Sequence, residues 1–207
     1  MAQLIVVHPL NPQRRLILEA VAVLRAGGLV IYPTDSSYAL GCGLGEKFAM
    51  EQLRQIRRVD EQHHLTLVCK DLSEISQYAH VDNLQYRMLR IATPGSYTFI
   101  LKAKREVPKR LLNPKRKTIG LRVPDHPVTA ALLEELGEPI LSSTLILPGD
   151  EYPVSDVEQI GNRAPGVDLI VDAGSCGIEM TTIIDLTGAF PEVIRKGKGA
   201  LDALGLN

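Results

Sequence analysis

Four stretches of this 207-residue sequence combine hydroxyl side chains, glycines and arginines, residue types that suit the binding of an anionic ligand. The first stretch, residues 32–43, has the sequence YPTDSSYALGCG and begins at the end of an apolar run of strand length. In α/β sheets, ligands gather at strand-to-helix crossovers, where backbone N–H groups point outward. The stretch is not a Walker A phosphate loop, because no Gly-Lys-Ser/Thr follows it. A tight turn capped by its own hydroxyls would explain the same residues.

The second stretch is marked by hydroxyls in a strand. Ser142, Ser143 and Thr144 interrupt an apolar run, and a buried hydroxyl without a partner costs about 1–3 kcal/mol. A ligand phosphate or a crossing backbone would satisfy these groups, and so would hydroxyl pairing with a neighbouring strand. The sequence leaves these alternatives open.

Single arginines mark the other two stretches. Arg122 lies between Leu121 and Val123 in a strand suited to burial, so it is held by a carboxylate or offers a fork to an anionic ligand. Arg195 belongs to a basic, glycine-rich segment, residues 193–199, where it could reach a phosphate. A polar C-terminal hairpin would explain that segment as well.

The sequence indicates neither a metal site nor a membrane partner. His63 and His64 lack a third ligand at metal spacing, and three cysteines without a Cys-x-x-Cys motif are typical of a reducing compartment. No run approaches the roughly 18 apolar residues that cross a bilayer. A hydrophobic fraction of 45% excludes a disordered tail and a collagen-like repeat. We therefore expect a globular, cytoplasmic protein.

Charge is strongly segregated along the chain, although the net charge is only −1. Residues 102–122 contain nine cations and one acid, whereas residues 123–162 contain eight carboxylates and no Lys or Arg. Such runs are often only solvated surfaces. Because the basic run lacks aromatic residues for base stacking, an RNA partner would be a duplex or folded RNA bound through its phosphates. The candidate RNA-binding residues are Lys102, Lys104, Arg105, Lys109, Arg110, Lys115, Arg116 and Lys117.

Apolar periodicity predicts an α/β protein of one domain, residues 1–207. Helices are predicted over residues 16–24, 49–56, 71–78, 83–92, 128–136 and 155–163, with Asp71 and Ser155 as caps and Gly137 at the end of the fifth. Strands are predicted over residues 29–32, 65–69, 97–101, 117–123, 140–147, 167–171, 182–186 and 193–196. The alternation of helices and strands favours parallel pairing. The short links between the last three strands require antiparallel neighbours, so we expect a mixed sheet.

Together, these stretches resemble the YrdC/YciO family, whose best-known members are threonylcarbamoyl-AMP synthases. The resemblance spans residues 16–199. It depends on five motifs: YPTD at 32–35 with Gly41-Cys42, Pro94-Gly95 with Thr98, RVP at 122–124 with His126-Pro127, SST at 142–144, and TTIIDL at 181–186 before Arg195. The detail, including RKTIG at 116–120, is most similar to the YciO branch. The resemblance implies a YrdC-like single domain, a twisted mixed β-sheet flanked by helices around a concave basic cavity.

The resemblance also implies ligands and a reaction. Family synthases join L-threonine, bicarbonate and ATP, with Mg²⁺, into threonylcarbamoyl-AMP and pyrophosphate, and the product serves modification of adenosine beside the anticodon of tRNA. Carried over residue by residue, the resemblance places Thr34, Arg122 and Thr181 at the substrate and Ser142, Thr144 and Arg195 at the nucleotide. Fixed cations and N–H donors suit this reaction, because negative charge spreads over phosphate oxygens in its transition state.

The sequence departs from the synthase signature in two places. Where family synthases carry Lys-x-Arg, this chain has Arg57-Arg58-Val59, so Arg57 and Arg58 become the candidate catalytic cations. Where they carry Ser-x-Asn, this chain has Thr144-Leu145-Ile146. Loss of one charge-assisted contact to a transition state lowers a rate by about 10²–10³.

We therefore expect a YciO-type protein that binds an adenine nucleotide and RNA, with weak or absent synthase activity. The alternative is an active threonylcarbamoyl-AMP synthase in which Arg57 and Arg58 replace the usual pair. A third possibility is a passive subunit whose acidic residues 123–162 dock a basic partner.

Overall fold

The computed structural model describes residues 2–60, 65–112 and 115–206. Within these ranges the chain forms five α-helices: α1 (Arg14–Arg25), α2 (Lys47–Arg57), α3 (Leu72–Tyr78), α4 (Asn83–Ala92) and α5 (Pro127–Leu136). The strands are β1 (Gln3–Val6), β2 (Val30–Pro33), β3 (Tyr38–Gly43), β4 (Thr66–Val68), β5 (Tyr97–Lys102), β6 (Thr118–Arg122), β7 (Ile140–Thr144), β8 (Leu169–Asp172), β9 (Thr182–Asp185) and β10 (Glu192–Arg195).

All ten described strands join one mixed sheet in the order β1-β8-β2-β3-β7-β4-β6-β5-β9-β10. The sheet contains parallel pairs, such as β4 with β6 and β5 with β9, and antiparallel pairs, such as β3 with β7 and β5 with β6. The predicted α/β class and the mixed sheet are confirmed. No described helix is long and apolar enough to cross a membrane.

Helices cover both faces of the sheet. Successive residues of a strand point to opposite faces, so each strand contributes to two apolar layers. In β2, Val30 and Tyr32 pack in a cluster with apolar residues of α1 and α5. Ile31, between them, belongs to the other cluster, which includes buried residues of α2, α3 and α4. Both faces of β2 are therefore buried, and polar groups on such strands need internal partners or a ligand.

Several helix ends follow directly from the sequence. Asp71 caps α3 by accepting a hydrogen bond from the Glu74 backbone N–H at 2.8 Å, as predicted. His126 caps α5, where its Nδ1 accepts from the Val128 N–H at 3.3 Å. Gly137 adopts the left-handed conformation, with φ of 78°, that ends α5.

The prediction of a strand-to-helix crossover at residues 32–43 is wrong. This stretch is a β-hairpin in which β2 and β3 pair antiparallel. Gly41 lies in the buried strand β3. A Cβ at this position would lie 2.5 Å from Ile140 and 2.9 Å from the Tyr32 ring, so a larger residue would not fit. Gly41 therefore reflects close packing between strands rather than a loop.

Two further predictions are corrected. Residues 155–163 do not form an α-helix; one turn of 3-10 helix, Val157–Gln159, is followed by Gly161 with φ of 46°. The strands β8 and β9 are not neighbours, since β8 lies between β1 and β2 and β9 pairs with β5 and β10. Of the two links between the last three strands, only the one from β9 to β10 joins antiparallel neighbours. The N-terminal strand β1 was not predicted.

Candidate functional site

A polar pocket of about 170 Å³ lies among the central strands. Its walls come from the turn after β2, the end of α2, strands β3 to β7, the segment before β9, and the end of β10. Seven of the eight residues predicted to serve a small-molecule site line it: Thr34, Arg57, Arg122, Ser142, Thr144, Thr181 and Arg195. Residues separated by up to 161 positions in sequence thus meet at one place.

The turn between β2 and β3 is capped by its own hydroxyls. The Thr34 Oγ1 donates to the Ser37 carbonyl at 2.6 Å and accepts from the backbone N–H groups of Ser36 and Ser37. Thr34 is buried and lines the pocket. The explanation by a tightly capped turn is therefore confirmed, and this turn also places Thr34 in the pocket wall.

Arg122, at the end of β6, forms a buried ion pair with Asp35. Each side chain is only 8% exposed, and Arg122 Nη2 donates to Asp35 Oδ1. The Nη1 lies 3.4 Å from the Ser36 Oγ, whereas Nε has no hydrogen-bond partner within the described structure. Of the two explanations that the sequence left open for this arginine, a carboxylate partner is present.

Arg195, at the end of β10, is held by Thr181, the residue that precedes β9. Its Nε donates to the Thr181 carbonyl at 3.1 Å, and its Nη2 donates to the Thr181 Oγ1 at 3.3 Å. The same hydroxyl lies 2.9 Å from the Thr98 Oγ1. Burial, and then the like charge of Arg122, lower the pKa of Arg195. Two cations are thus held near each other in a poorly solvated place.

The hydroxyls of β7 have internal partners. The Ser142 Oγ accepts from the Tyr32 hydroxyl at 2.8 Å and lies 3.3 Å from the Leu40 carbonyl. The Ser143 Oγ accepts from the Arg57 Nε at 3.3 Å. Both of the partner types considered from the sequence, a neighbouring hydroxyl and a crossing backbone, occur at Ser142. Thr144 is half-buried and lines the pocket.

The structure separates the two candidate catalytic cations. Arg57 lines the pocket, donates through Nη1 to the Ile146 carbonyl, and has its pKa lowered to about 10 by burial. Arg58 is exposed, adopts a left-handed conformation at the end of α2, and is absent from the pocket's described lining. Ile146 contributes an apolar side chain where the family signature has asparagine.

The charge of the pocket is strongly unbalanced. Three arginines line it, and no acidic side chain of the described residues does. Asp35 neutralises only one of these cations, Arg122, and is not itself part of the described lining. Such a pocket favours an anionic ligand over a neutral or cationic one.

The eight candidate RNA-binding residues lie in one stretch of the sequence, residues 102–117, which we call the basic segment. Lys102, Arg105, Lys109, Lys115 and Lys117 are exposed. Three others contact the protein: Lys104 donates to the Ser76 carbonyl at 2.5 Å, Arg110 to the Gly45 carbonyl, and Arg116 to Asp185 at 3.3 Å. None of the eight lines the pocket described above.

Sequence reasoning missed several pocket residues. Thr66 on β4, Met180 and Ile183 line the cavity without having been proposed. Thr66 carries the same signal as Ser142, a hydroxyl inside an apolar strand, so it could have been found. Met180 and Ile183 carry no polar signal and are identified only by the fold.

A larger cavity, of about 370 Å³, lies outside this site. Its walls include Lys70, Arg90 and residues 123–127, and it contains none of the predicted small-molecule residues. It is mostly apolar, and burial lowers the pKa of His126 in its wall. Among the described residues no group of His, Cys, Asp and Glu could hold a metal ion. His63 and His64 lie outside the described residues.

The fold and the pocket define an α/β protein with a cationic, hydroxyl-lined pocket across its sheet. The model of the Sua5/YciO/YrdC family, described as "Telomere recombination", matches residues 22–197. The chain belongs to this family, and the resemblance inferred from its motifs is confirmed.

Individual relatives agree with this assignment. The uncharacterized protein YciO of Escherichia coli is 54% identical over 200 residues, covering 96% of this chain and 97% of that protein. Its crystal structure superposes with a TM-score of 0.94, covering 98% and 99% of the two chains. A threonylcarbamoyl-AMP synthase of Vibrio vulnificus is 30% identical over 148 residues, covering 70% of this chain and 78% of the synthase.

A more distant structure shares the fold. The crystal structure of P. abyssi Sua5 complexed with L-threonine has a TM-score of 0.88 at 23% identity. It aligns with 97% of this chain, which spans 59% of that structure.

Proposed function

We propose that this protein binds an adenine nucleotide in the pocket and a duplex or folded RNA through the basic segment, with weak or absent threonylcarbamoyl-AMP synthesis. The observation that carries the proposal is the meeting of Arg57, Arg122 and Arg195 in one pocket that no described acidic side chain lines. Arginine is the side chain best suited to phosphate recognition.

The groups around the pocket suit the parts of a nucleotide and an amino acid. Ser142, Thr144 and Arg195 are proposed to hold the nucleotide. Thr34, Arg122 and Thr181 are proposed to hold the amino acid, which in P. abyssi Sua5 is L-threonine, with Arg122 against its carboxylate or a nearby phosphate. Mg²⁺ would be bound mainly by phosphate oxygens and water, because no described acidic side chain lines the pocket.

Weak synthesis is proposed from what the pocket presents to the α-phosphate. Ile146 can neither donate nor accept a side-chain hydrogen bond. Arg57 already donates to the Ile146 carbonyl and the Ser143 hydroxyl, and exposed Arg58 is not part of the described lining. The groups that would stabilise charge developing on the phosphate are therefore fewer than the family signature provides.

The synthase proposal is tested by pyrophosphate release in the presence of L-threonine, bicarbonate, ATP and Mg²⁺. We expect turnover far below 1 s⁻¹, a rate near the low end for ordinary enzymes. Turnover at or above that rate would establish the alternative, an active synthase, which is favoured by the place of Arg57 in the pocket wall.

Nucleotide binding is tested separately by calorimetry with ATP, ADP, AMP and adenosine. Affinity should rise with the number of phosphates, because the pocket has excess positive charge. Equal affinity for adenosine and ATP, or no binding of any of them, would contradict the nucleotide proposal.

The RNA proposal is tested by titrating duplex RNA over a series of salt concentrations. Affinity should fall steeply with salt, and the Lys102→Ala/Arg105→Ala/Lys109→Ala variant should bind several-fold more weakly. The control is Arg15→Ala/Arg25→Ala on α1, which removes two exposed cations outside the basic segment. Affinity independent of salt, or lost equally in both variants, would contradict binding through the basic segment.

A further inference from the structure

Asp35 lies at the pocket without being part of its lining. Its carboxylate pairs with Arg122 through Oδ1, and its side chain is 8% exposed. The described lining includes the flanking Thr34 and Ser37 but not Asp35. A ligand in the pocket would therefore meet Arg122 and not the acid behind it.

Three other contacts fix this carboxylate and its backbone. The Ser96 hydroxyl donates to Asp35 Oδ2 at 2.5 Å. The Lys198 ammonium donates to the Asp35 carbonyl oxygen. The Thr34 hydroxyl caps the turn that carries Asp35. Segments from three regions of the sequence thus converge on one residue that is itself hidden from the cavity.

The orientation of Arg122 follows from this arrangement. A guanidinium group is planar and rigid. When Nη2 is held by Asp35 and Nη1 lies near Ser36, the direction of the remaining nitrogen, Nε, is therefore fixed as well. That group, Nε–H, is buried and has no partner in the described structure. A buried donor without an acceptor is unfavourable, so Asp35 and Ser36 leave part of the hydrogen-bonding capacity of Arg122 unused.

We propose that Asp35 is a positioning residue, which holds Arg122 in the pocket wall so that its guanidinium group binds the anionic group in the pocket. This inference deepens the proposed function and rests on its premise that the pocket takes an anion. It does not require the anion to belong to an adenine nucleotide. Inorganic pyrophosphate is therefore a suitable probe.

The direct test is the Asp35→Asn variant, which keeps the size of the side chain and an acceptor for Ser96 but removes the negative charge. We expect about tenfold weaker binding of pyrophosphate, while adenosine affinity changes less than twofold. The matched control is Asp150→Asn, which removes the acid of another Asp–Arg pair, Asp150–Arg163, placed outside the pocket lining. It should leave pyrophosphate affinity unchanged.

A double-mutant cycle separates positioning from a general structural role. In an Arg122→Lys background the Asp35→Asn change should weaken pyrophosphate binding less than twofold, because the group that it orients is gone. An equal loss in both backgrounds, or an equal loss for adenosine and pyrophosphate, would overturn the proposal. So would unchanged pyrophosphate affinity in Asp35→Asn.

Two measurements keep the proposal testable if Asp35→Asn folds poorly. Ser96→Ala leaves the ion pair intact but releases Asp35 Oδ2, and it should weaken pyrophosphate binding about threefold. In ¹⁵N–¹H spectra the Arg122 Nε–H resonance should shift when pyrophosphate is added, and a resonance that does not respond would overturn the inference. Pyrophosphate binding without ATP or adenosine binding would contradict the nucleotide proposal alone, whereas absence of pyrophosphate binding contradicts the positioning role.

Discussion

The pocket and the basic segment use the same residue types in opposite ways. In the pocket, Arg122 is 8% exposed and bound to Asp35, and Arg195 is held by Thr181. In the basic segment, Lys102, Arg105 and Lys109 are exposed to solvent. The pocket therefore has a few cations held by internal partners, whereas most cations of the basic segment are exposed to solvent.

This difference predicts that the proposed ligand binding in the pocket and the proposed RNA binding by the basic segment respond differently to salt and to substitution. Buried cations are weakly screened by salt and depend strongly on their neighbours, so one substitution has a large effect. Exposed cations are screened, contribute similar small amounts, and tolerate replacement one at a time. The predictions below test whether the two regions differ in this way.

The largest effect is expected from Arg122→Met. It leaves Asp35 buried without its cation, and breaking a buried ion pair costs about 3–5 kcal/mol of the free energy of unfolding. Urea denaturation of the variant measures this loss. The Lys109→Ala variant in the basic segment should change the same quantity by less than about 0.5 kcal/mol.

The double variant Asp35→Asn/Arg122→Met serves as the control for this comparison. Because it removes both charges, it should recover much of the stability lost in Arg122→Met. A double variant that is less stable than Arg122→Met would show that the pair does not act as a buried ion pair.

A smaller effect, in rate, is expected from Ile146→Asn. This change restores an amide where the synthase signature has one, in the pocket wall. One restored contact to the transition state should raise pyrophosphate release about tenfold or more. The same change at Ile91, exposed on α4, is the control and should have no effect. A rate that does not rise would show that Ile146 does not limit synthesis.

Salt should distinguish the two regions by a moderate effect. Each lysine or arginine removed from the basic segment should reduce the salt slope of RNA binding by about 1. Pyrophosphate binding in the pocket should have a much shallower slope, because its cations are buried. Equal slopes measured for the two ligands would remove the distinction between the regions.

The smallest effect is expected in the pH dependence of stability. Burial lowers the pKa of His126 from its ordinary value of 6.5, and its neutral Nδ1 caps α5. The unfolded chain therefore binds the proton more readily, and this contribution to stability is complete above pH 6.5 and is lost as the pH falls below it. His126→Asn, which keeps a cap, should lose less stability than the wild type between pH 7.5 and 5. Replacement of the exposed His80 by Gln should not change the wild-type profile.

The sequence predicted elements well wherever the signals are local. The Asp71 cap, the helix Asn83–Ala92 and the Gly137 terminus are set by neighbouring residues, and the structure confirms them. The strand Tyr38–Gly43 was missed because Gly41 and Gly43 indicate a loop. They are glycines because other strands and helices come close, and that information is not local.

The same distinction holds for the pocket. Hydroxyls and arginines in apolar or glycine-rich stretches drew attention to six of the lining residues, because burial of such groups is unusual enough to be noticed. The family resemblance assigned their roles and added Arg57. Asp35 was not proposed, since an acid in a turn is ordinary until its partner is known. Arg58 was grouped with Arg57, although the end of α2 turns the two apart.

The order of strands in the sheet has a consequence for synthesis of the chain. The pocket combines Thr34, from the second strand's turn, with Arg195, at the end of the tenth strand. A nascent polypeptide translated as far as α5 already contains Arg57 and Arg122 but lacks β7 and the arm that carries Arg195. The pocket is therefore complete only near the end of translation, and a prematurely terminated product would lack the wall that carries Arg195.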